Sequence, residues 1–190
     1  MIAVVGKVAS GKSTFLKHLQ ELGFKIFICD DYVNWLYCND EQVKLNFINF
    51  FGQDVVQNGQ INKSFLKEQI KLNPQNLKFI EKVIFPIIFE HLKTHLYDFV
   101  EIPVLFTDIV DFSKLFSAIW NLTIDEENHQ KFLDSRNVDN FLKSQFIEKK
   151  AYFFDEISTF RGIKVVNISL DKRRTSESIK EFLSNQKIYI

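Results

Sequence analysis

Eight residues near the start of the chain constrain its fold more than any other segment. Residues 6–13 read Gly-Lys-Val-Ala-Ser-Gly-Lys-Ser and directly follow the apolar run at residues 2–5. This spacing matches G-x-x-x-x-G-K-[ST], which predicts a loop between a buried strand and a helix. The two glycines let the backbone curl, so that successive N–H groups and the positive end of the helix face one polyphosphate. The pattern therefore predicts a nucleotide-binding α/β protein.

The polar residues of this loop have expected roles toward the nucleotide. Lys12 is expected to reach the β- and γ-phosphates, and the Ser13 hydroxyl is an expected ligand of Mg²⁺. Residues 14–22 carry apolar side chains at helical spacing, and Gly23 follows them as a helix stop. The expected nucleotide-binding residues of this segment are Gly6, Val8, Ala9, Ser10, Gly11, Lys12, Ser13 and Thr14.

The bulk composition narrows the choice of partners. The 190 residues carry 24 basic and 24 acidic side chains, which gives a formal net charge of zero. We therefore expect neither nucleic acid nor a membrane as a partner. Cys29 and Cys38 are too few for a disulfide framework, and we find no secretory signal and no apolar run of membrane-spanning length. We expect a cytoplasmic protein that is a monomer or a weak oligomer.

Strand and helix patterns alternate along the chain. Apolar, β-favouring runs predict further strands at 24–29, 99–106, 118–124 and 164–168. Helical spacing covers 32–51, 62–72, 73–96, 126–159 and 175–183. Within these helices we expect a break at Asn39-Asp40 and a kink or split near Phe85, because Pro86 follows it. The alternation predicts an α/β fold in which helices flank a parallel sheet of about five strands, with ligands at the strands' carboxyl ends.

Two acidic residues follow the second predicted strand. Asp30 and Asp31 fall on the same edge of the sheet as the phosphate loop, where a carboxylate can accept the proton of an attacking hydroxyl. Alternation along a strand lets only one of the two face the site. We favour Asp31, because residues 32–34 then begin the next helix in the better register. The alternative is that an aspartate only caps that helix.

Glu101 and Arg136 are the other candidates for phosphoryl-transfer chemistry. Glu101 lies in the third predicted strand, beside the first, where a carboxylate can hold the water shell of Mg²⁺. The alternative is a solvated charge at a strand start. Arg136 lies in the charged segment 126–159 and is a candidate for a lid that closes over the phosphates. A solvated helix face is the expected role of the lysines in the same segment.

Several motifs, in order along the chain, resemble those of the dephospho-coenzyme A kinase family. Residues 6–14 are similar to the family's G-x-x-G-S-G-K-S-T, and Cys29-Asp30-Asp31 after Leu22-Gly23 is similar to L-G…D-A-D. Five later segments resemble the motifs F-G, D-G-x-I-D-R-x-x-L, L-E-x-I-x-H-P, D-x-P-L-L-F-E and V-I-x-N: they are residues 51–52, 58–66, 80–86, 101–106 and 165–167. The resemblance extends over nearly the whole chain.

The resemblance implies a single P-loop kinase domain over residues 1–190. Its expected parts are a three-layer core at 1–30, 98–124 and 162–190, a helical substrate region at 31–97 and a lid at 125–160. The implied reaction transfers a phosphoryl group from ATP, with Mg²⁺, to the ribose 3′-hydroxyl of dephospho-CoA. The family's base is the second Asp of D-A-D, which an ungapped alignment places on Asp30, and Asn167 corresponds to a residue near the adenine.

The chain departs from the family pattern at four positions, so other functions stay open. Phe85 replaces a His, Thr107 a Glu, Lys63 an Arg, and Phe132 a lid Arg. One alternative is another small P-loop kinase that acts on a nucleoside, a nucleotide or shikimate. A second is a nucleotide-binding paralogue without turnover. A GTPase switch is disfavoured, because the D-x-x-G and N-K-x-D motifs are missing.

Overall fold

The computed structural model describes residues 1–135 and 154–188. They belong to two compact units: the first comprises Met1–Phe27, Leu96–Leu105 and Phe112–Ile190, and the second comprises Ile28–His95 and Phe106–Asp111. No helix in the described ranges is long and apolar enough to cross a bilayer. The grouping of all 190 residues into one kinase domain stays a prediction.

The described residues form eight strands and seven α-helices. The strands are β1 (Ile2–Gly6), β2 (Ile26–Ile28), β3 (Val56–Gln57), β4 (Gln60–Ile61), β5 (Phe99–Glu101), β6 (Ala118–Leu122), β7 (Thr159–Phe160) and β8 (Ile163–Ile168). The helices are α1 (Lys12–Glu21), α2 (Cys29–Asn39), α3 (Glu41–Phe51), α4 (Lys63–Leu72), α5 (Gln75–Thr94), α6 (Glu126–Ser135) and α7 (Ser176–Asn185).

A mostly parallel, six-stranded sheet forms the centre of the fold, with the order β2-β5-β1-β6-β8-β7. β1 pairs in parallel with both β5 and β6, and β6 pairs in parallel with β8. These pairings bring the carboxyl ends of β1, β6 and β8 to one edge, at which α/β proteins bind their ligands. The predicted α/β class, with helices flanking a mainly parallel sheet, is confirmed.

The sheet has one strand more than the five or so expected, and this edge strand is antiparallel. β7 lies antiparallel to β8, joined by Arg161 and Gly162, which both have positive φ angles of 49° and 83°. A strand of two residues is too short to show period-two alternation, so the sequence pattern extended a helix to residue 159 instead. The described part of that helix ends at Ser135, and residues 154–156 form a single 3₁₀ turn.

Trp120 of β6 anchors the core of the first unit. Its ring centroid lies 4.9 Å from that of Phe99 on β5, 6.2 Å from Phe15 on α1 and 5.0 Å from Phe182 on α7. Because both helices contact one buried side chain, α1 and α7 cover the same face of the sheet. Truncating a buried aromatic residue of this kind costs about 3–5 kcal/mol.

The second unit is built from α2 to α5 and the β3–β4 hairpin, and local signals set its boundaries. Asp40 separates α2 from α3, and its carboxylate accepts a hydrogen bond from the Val43 N–H at 2.9 Å. Asn62 caps α4 in the same way through the Phe65 N–H at 3.1 Å. Asn58-Gly59 turns the hairpin. Short polar side chains at these positions satisfy backbone donors that the helix leaves unpaired.

The split expected near Phe85 was wrong, because α5 runs without interruption through Pro86. Proline inside a helix costs about 3 kcal/mol. Here the ring lies on the exposed side, whereas Ile84 and Ile88 on either side of it are buried. The packing of this apolar face outweighs the lost hydrogen bond and keeps the helix continuous.

We predict that Gly6→Ala destabilises the first unit by about 2–4 kcal/mol. A Cβ atom at Gly6 would stand 2.8 Å from the Leu122 carbonyl oxygen and 2.9 Å from the Ser10 Oγ, at a φ of +150°. Gly23→Ala is the matched control, since Gly23 also has positive φ but no atom within 4 Å of such a Cβ. The control is expected to lose only about 1 kcal/mol. Urea unfolding measures both, and equal losses would contradict the steric argument.

Candidate active site

The segment between β1 and α1 curls through two left-handed residues. Ala9 has a φ of 59° and Gly11 a φ of 87°, and the Ser10 N–H between them donates to the Lys7 carbonyl at 3.2 Å. Such alternation of backbone handedness turns successive N–H groups toward one point and forms a nest for an anion. The first turn of α1 contains no acidic residue, and no side chain caps it. Its unpaired amides and positive helix end therefore suit a phosphate.

Lys12 lies inside this curl. Its ammonium group donates to the carbonyl oxygens of Gly6 at 2.9 Å and Lys7 at 3.0 Å. These bonds hold a positive charge at the centre of the loop, where a polyphosphate would bind. The hydroxyl of Ser10 is fully buried against Gly6 and has no hydrogen-bond partner in the described part of the chain.

The expected magnesium ligands lie in the first unit. Ser13 and Thr14 are exposed in the first turn of α1. Glu101 ends β5 and is the cross-strand partner of Val4 on β1. Hydroxyl and carboxylate oxygens are the hard donors that Mg²⁺ prefers, so this donor set fits the ion. The described residues contain no cluster of three or more metal-binding side chains.

A polar network joins the loop to the ends of β6 and β8. The Asn121 amide donates to the side-chain oxygens of Asn167 and Asp155, at 2.8 Å each, and the Asn167 amide donates to the Asp155 carbonyl at 3.1 Å. Lys7 of the loop lies 3.7 Å from the Asp155 carboxylate. Asn167, an expected nucleotide contact, therefore has its side chain engaged within the protein. The sequence analysis missed Asn121, although a polar residue inside an apolar strand needs a buried partner.

Two further residues contact the loop, and the sequence analysis missed both. His129 of α6 lies with its Nε2 2.8 Å from the Val8 carbonyl oxygen. Since a carbonyl only accepts, Nε2 carries a proton in this arrangement. On the other side, the guanidinium of Arg173 lies against Gly11. Neither had a sequence signal, because the contacts join positions 121 and 162 residues apart.

A cleft of about 290 Å³ lies at the carboxyl ends of β6 and β8. Residues 123–125 with Asn128 line one side, and residues 169–171 with Arg174 line the other. Asp125 caps α6 by accepting a hydrogen bond from the Asn128 N–H at 2.9 Å. Hydrogen bonds from the backbone and the side chain of Asn128 lower the pKa of the Asp125 carboxyl. The cleft belongs to the first unit, as the phosphate loop does.

Asp30 and Asp31 lie in a helix rather than at the end of a strand. α2 begins at Cys29, so both are in its first turn, and both are exposed. The argument from strand alternation was therefore wrong. The capping alternative also fails, because the N-cap residue is Ile28. Both aspartates belong to the second unit, and the base role of either stays a prediction.

Arg136 belongs to the expected lid, and Thr107 is one of the positions that depart from the family pattern. Arg136 and the lysines that follow it lie outside the described residues. Thr107, at a position where the resembled family carries Glu, accepts hydrogen bonds from the N–H groups of Ile109 and Val110 at 3.2 Å and 3.1 Å. Its hydroxyl thus closes a tight turn in the second unit.

Comparison with known protein families assigns the chain to one of them. A profile described as dephospho-CoA kinase matches residues 1–149. The chain belongs to the dephospho-CoA kinase family. Membership makes it a kinase, a nucleotide-binding phosphotransferase of coenzyme A biosynthesis.

Curated relatives agree with this membership, and a solved structure shares the fold. The dephospho-CoA kinase of Streptococcus agalactiae is 29% identical over 146 residues, covering 72% of this chain and 74% of the relative. The enzyme of Streptococcus mutans is 25% identical and covers 98% of this chain and 95% of the relative. The structure of the Campylobacter jejuni dephospho-CoA kinase, at 18% identity, has a TM-score of 0.59 and covers 98% of both chains. At that identity the structural likeness concerns the fold alone.

We predict that His91 makes the second unit less stable in mild acid. Burial, and then the neighbouring His95, lower the pKa of His91 below its ordinary value. The ring stacks on Tyr32 at 4.2 Å and on His95 at 4.1 Å. The unfolded chain therefore binds this proton more readily, so stability falls as the pH drops below about 6.5. The urea midpoint should fall less between neutral and mildly acidic pH in His91→Gln than in the wild type. An equal fall in both proteins would contradict the prediction.

Proposed function

We propose that this kinase transfers the γ-phosphoryl group of ATP to the ribose 3′-hydroxyl of dephospho-CoA. The observation that carries the proposal is the curled loop ahead of α1, with left-handed Ala9 and Gly11 and an uncapped helix start. Family membership names the acceptor. The chemistry of such a transfer consists mainly of positioning and charge neutralisation, which is what a rigid loop of amides provides.

The phosphate loop is assigned to the triphosphate. Main-chain N–H groups between Gly6 and Thr14 donate to its oxygens. The Lys12 ammonium group, which bonds the loop carbonyls, donates instead to the β- and γ-phosphates when ATP binds. These carbonyls hold the ammonium group inside the loop, where the phosphates of ATP would bind. Preorganised charge of this kind lowers the barrier without reorganisation at the moment of transfer.

Ser13 and Glu101 are assigned to the magnesium ion that accompanies ATP. The Ser13 hydroxyl is exposed beside the loop, and Glu101 lies at the end of a strand next to β1. Bound there, Mg²⁺ would neutralise charge on the phosphates. The remaining ligands would be phosphate oxygens and water, as is usual for this ion.

Asp31 or Asp30 is assigned to the proton of the acceptor hydroxyl. The 3′-oxygen forms a bond to the γ-phosphorus, the bond to the β-phosphate oxygen breaks, and the carboxylate takes the hydroxyl proton. Successive residues of a helix point about 100° apart, so only one of the two is expected to serve. The alignment with the family motif favours Asp30, whereas the preference for Asp31 assumed a helix that begins at residues 32–34, and α2 begins at Cys29.

The remaining assignments follow from the cleft and from composition. We assign the adenine of ATP to the cleft at the ends of β6 and β8, near Asn167, which stays a predicted contact. Arg136 is assigned to the cover over the phosphates. A balanced charge supports a cytoplasmic enzyme, monomeric or weakly associated, without nucleic acid or membrane as a partner.

The second candidate function is nucleotide binding without turnover. Phe85 and Thr107 occupy positions where the family pattern has His and Glu, and the Thr107 hydroxyl is used in a turn. A different acceptor, such as a nucleoside, is the third. The Mycoplasma mycoides deoxyadenosine kinase, at 13% identity and a TM-score of 0.53, shares the fold alone.

We predict that the purified protein releases ADP from ATP with dephospho-CoA and not with shikimate, AMP or pantothenate. Lys12→Ala should lower turnover by about 10³-fold, because one preorganised charge on the phosphates is lost. Lys17→Ala, an exposed lysine later on α1, is the matched control and should keep wild-type turnover. A coupled ADP assay measures all of these. Silence with every acceptor would support binding without turnover, and activity only with another acceptor would reassign the substrate.

We predict that one aspartate substitution stops turnover while ATP binding remains. Asp31→Asn and Asp30→Asn each remove one exposed carboxylate from the same helical turn, so each is the control for the other. Loss of a general base costs about 10²–10⁴-fold in kcat. The ADP assay with calorimetric ATP binding separates the two effects. If only Asp30→Asn loses turnover, the base is Asp30 and not Asp31. If both variants keep full activity, the base lies outside this turn.

A further inference from the structure

A buried arginine lies directly beneath the phosphate loop. Arg173 follows β8 in a short 3₁₀ turn, Asp171–Arg173, and only 4% of its surface is exposed. Its Nη2 donates to the Thr123 carbonyl at 2.7 Å, and its Nε donates to the Ile168 carbonyl at 3.3 Å. These carbonyls terminate β6 and β8, so one guanidinium ties together the ends of two neighbouring strands.

The third nitrogen of this guanidinium faces the loop. A Cβ atom at Gly11 would stand 3.0 Å from the Arg173 Nη1. Gly11 is the left-handed residue that ends the loop and starts α1. The guanidinium therefore fills the space under this residue and restricts how far the loop can flatten.

The charge of Arg173 has no close counter-ion in the described structure. The guanidinium donates hydrogen bonds to carbonyl oxygens, and Asp171 acts on it only through a weaker Coulombic effect. Burial lowers the pKa of the guanidinium to about 10, so the group stays charged at neutral pH. A buried cation is costly unless an anion compensates it. The natural compensating anion at this position is one that binds the loop above.

We propose that Arg173 is a positioning residue for the phosphate loop, which it supports under Gly11 while adding a buried positive charge to the triphosphate site. The proposal rests on the proposed function, since it needs the loop to bind a polyphosphate. A purely structural role, in which Arg173 only ties β6 to β8, would leave phosphate affinity independent of its charge.

Binding of inorganic tripolyphosphate tests the charge directly, because this ligand occupies the loop without a nucleobase. Arg173→Gln keeps a hydrogen-bond donor and removes the charge, whereas Arg173→Lys keeps the charge and loses the fork. Lys172→Gln is the matched control, since it removes a charge from the same turn at an exposed position. Calorimetry gives the dissociation constants, and thermal unfolding without ligand shows the temperature at which each variant is folded.

The expected result is a loss of affinity of about tenfold or more in Arg173→Gln, with most of it recovered in Arg173→Lys. Lys172→Gln should bind like the wild type. Wild-type affinity in a folded Arg173→Gln, or an equal loss in the Lys and Gln variants, would overturn the proposal.

Two further outcomes are also decisive. If Arg173→Gln does not fold, Arg173→Lys decides, because its charge must then keep the affinity within about fivefold of wild type. A folded Lys variant that no longer binds would overturn the charge role. If the wild-type protein binds neither tripolyphosphate nor ATP, the proposed function itself fails. If the wild type binds and its Arg173 variants bind equally well, only the role of Arg173 fails.

Discussion

The rest of the site depends on a short stretch of backbone keeping an uncommon conformation. Two residues between β1 and α1, Ala9 and Gly11, have positive φ angles, and a non-glycine residue there is under strain. Contacts from three directions oppose that strain. Lys12 bonds the loop carbonyls from inside, His129 lies against the Val8 carbonyl, and Arg173 supports Gly11 from beneath. Contacts within the protein thus hold the loop in this conformation.

Charge is distributed unevenly although the whole chain is neutral. The first turn of α1 has no acidic residue, whereas the first turns of α2 and α6 each have two. Acidic side chains stabilise a helix start by compensating its positive end. Their absence at α1 leaves that end available to an anion. Arg173, buried at the same edge of the sheet, adds to the field.

The departures from the family pattern fall mainly outside the phosphate loop. Phe85 lies within the continuous helix α5, and Thr107 closes a turn. Both belong to the second unit, whereas the loop and the cleft at β6 and β8 belong to the first. The phosphate loop keeps the P-loop pattern, whereas Phe85 and Thr107 lie in the unit that contains the predicted substrate region.

Local physics explains what the sequence determined by itself. The phosphate loop, the caps at Asp40 and Asn62 and the α/β class follow from residue types a few positions apart, because glycine geometry and side-chain capping act over one turn. Tertiary structure alone decided the start of α2 at Cys29, the continuity of α5 through Pro86 and the contacts of His129 and Arg173 with the loop. Those features depend on packing between distant segments, for which one-dimensional spacing carries no signal.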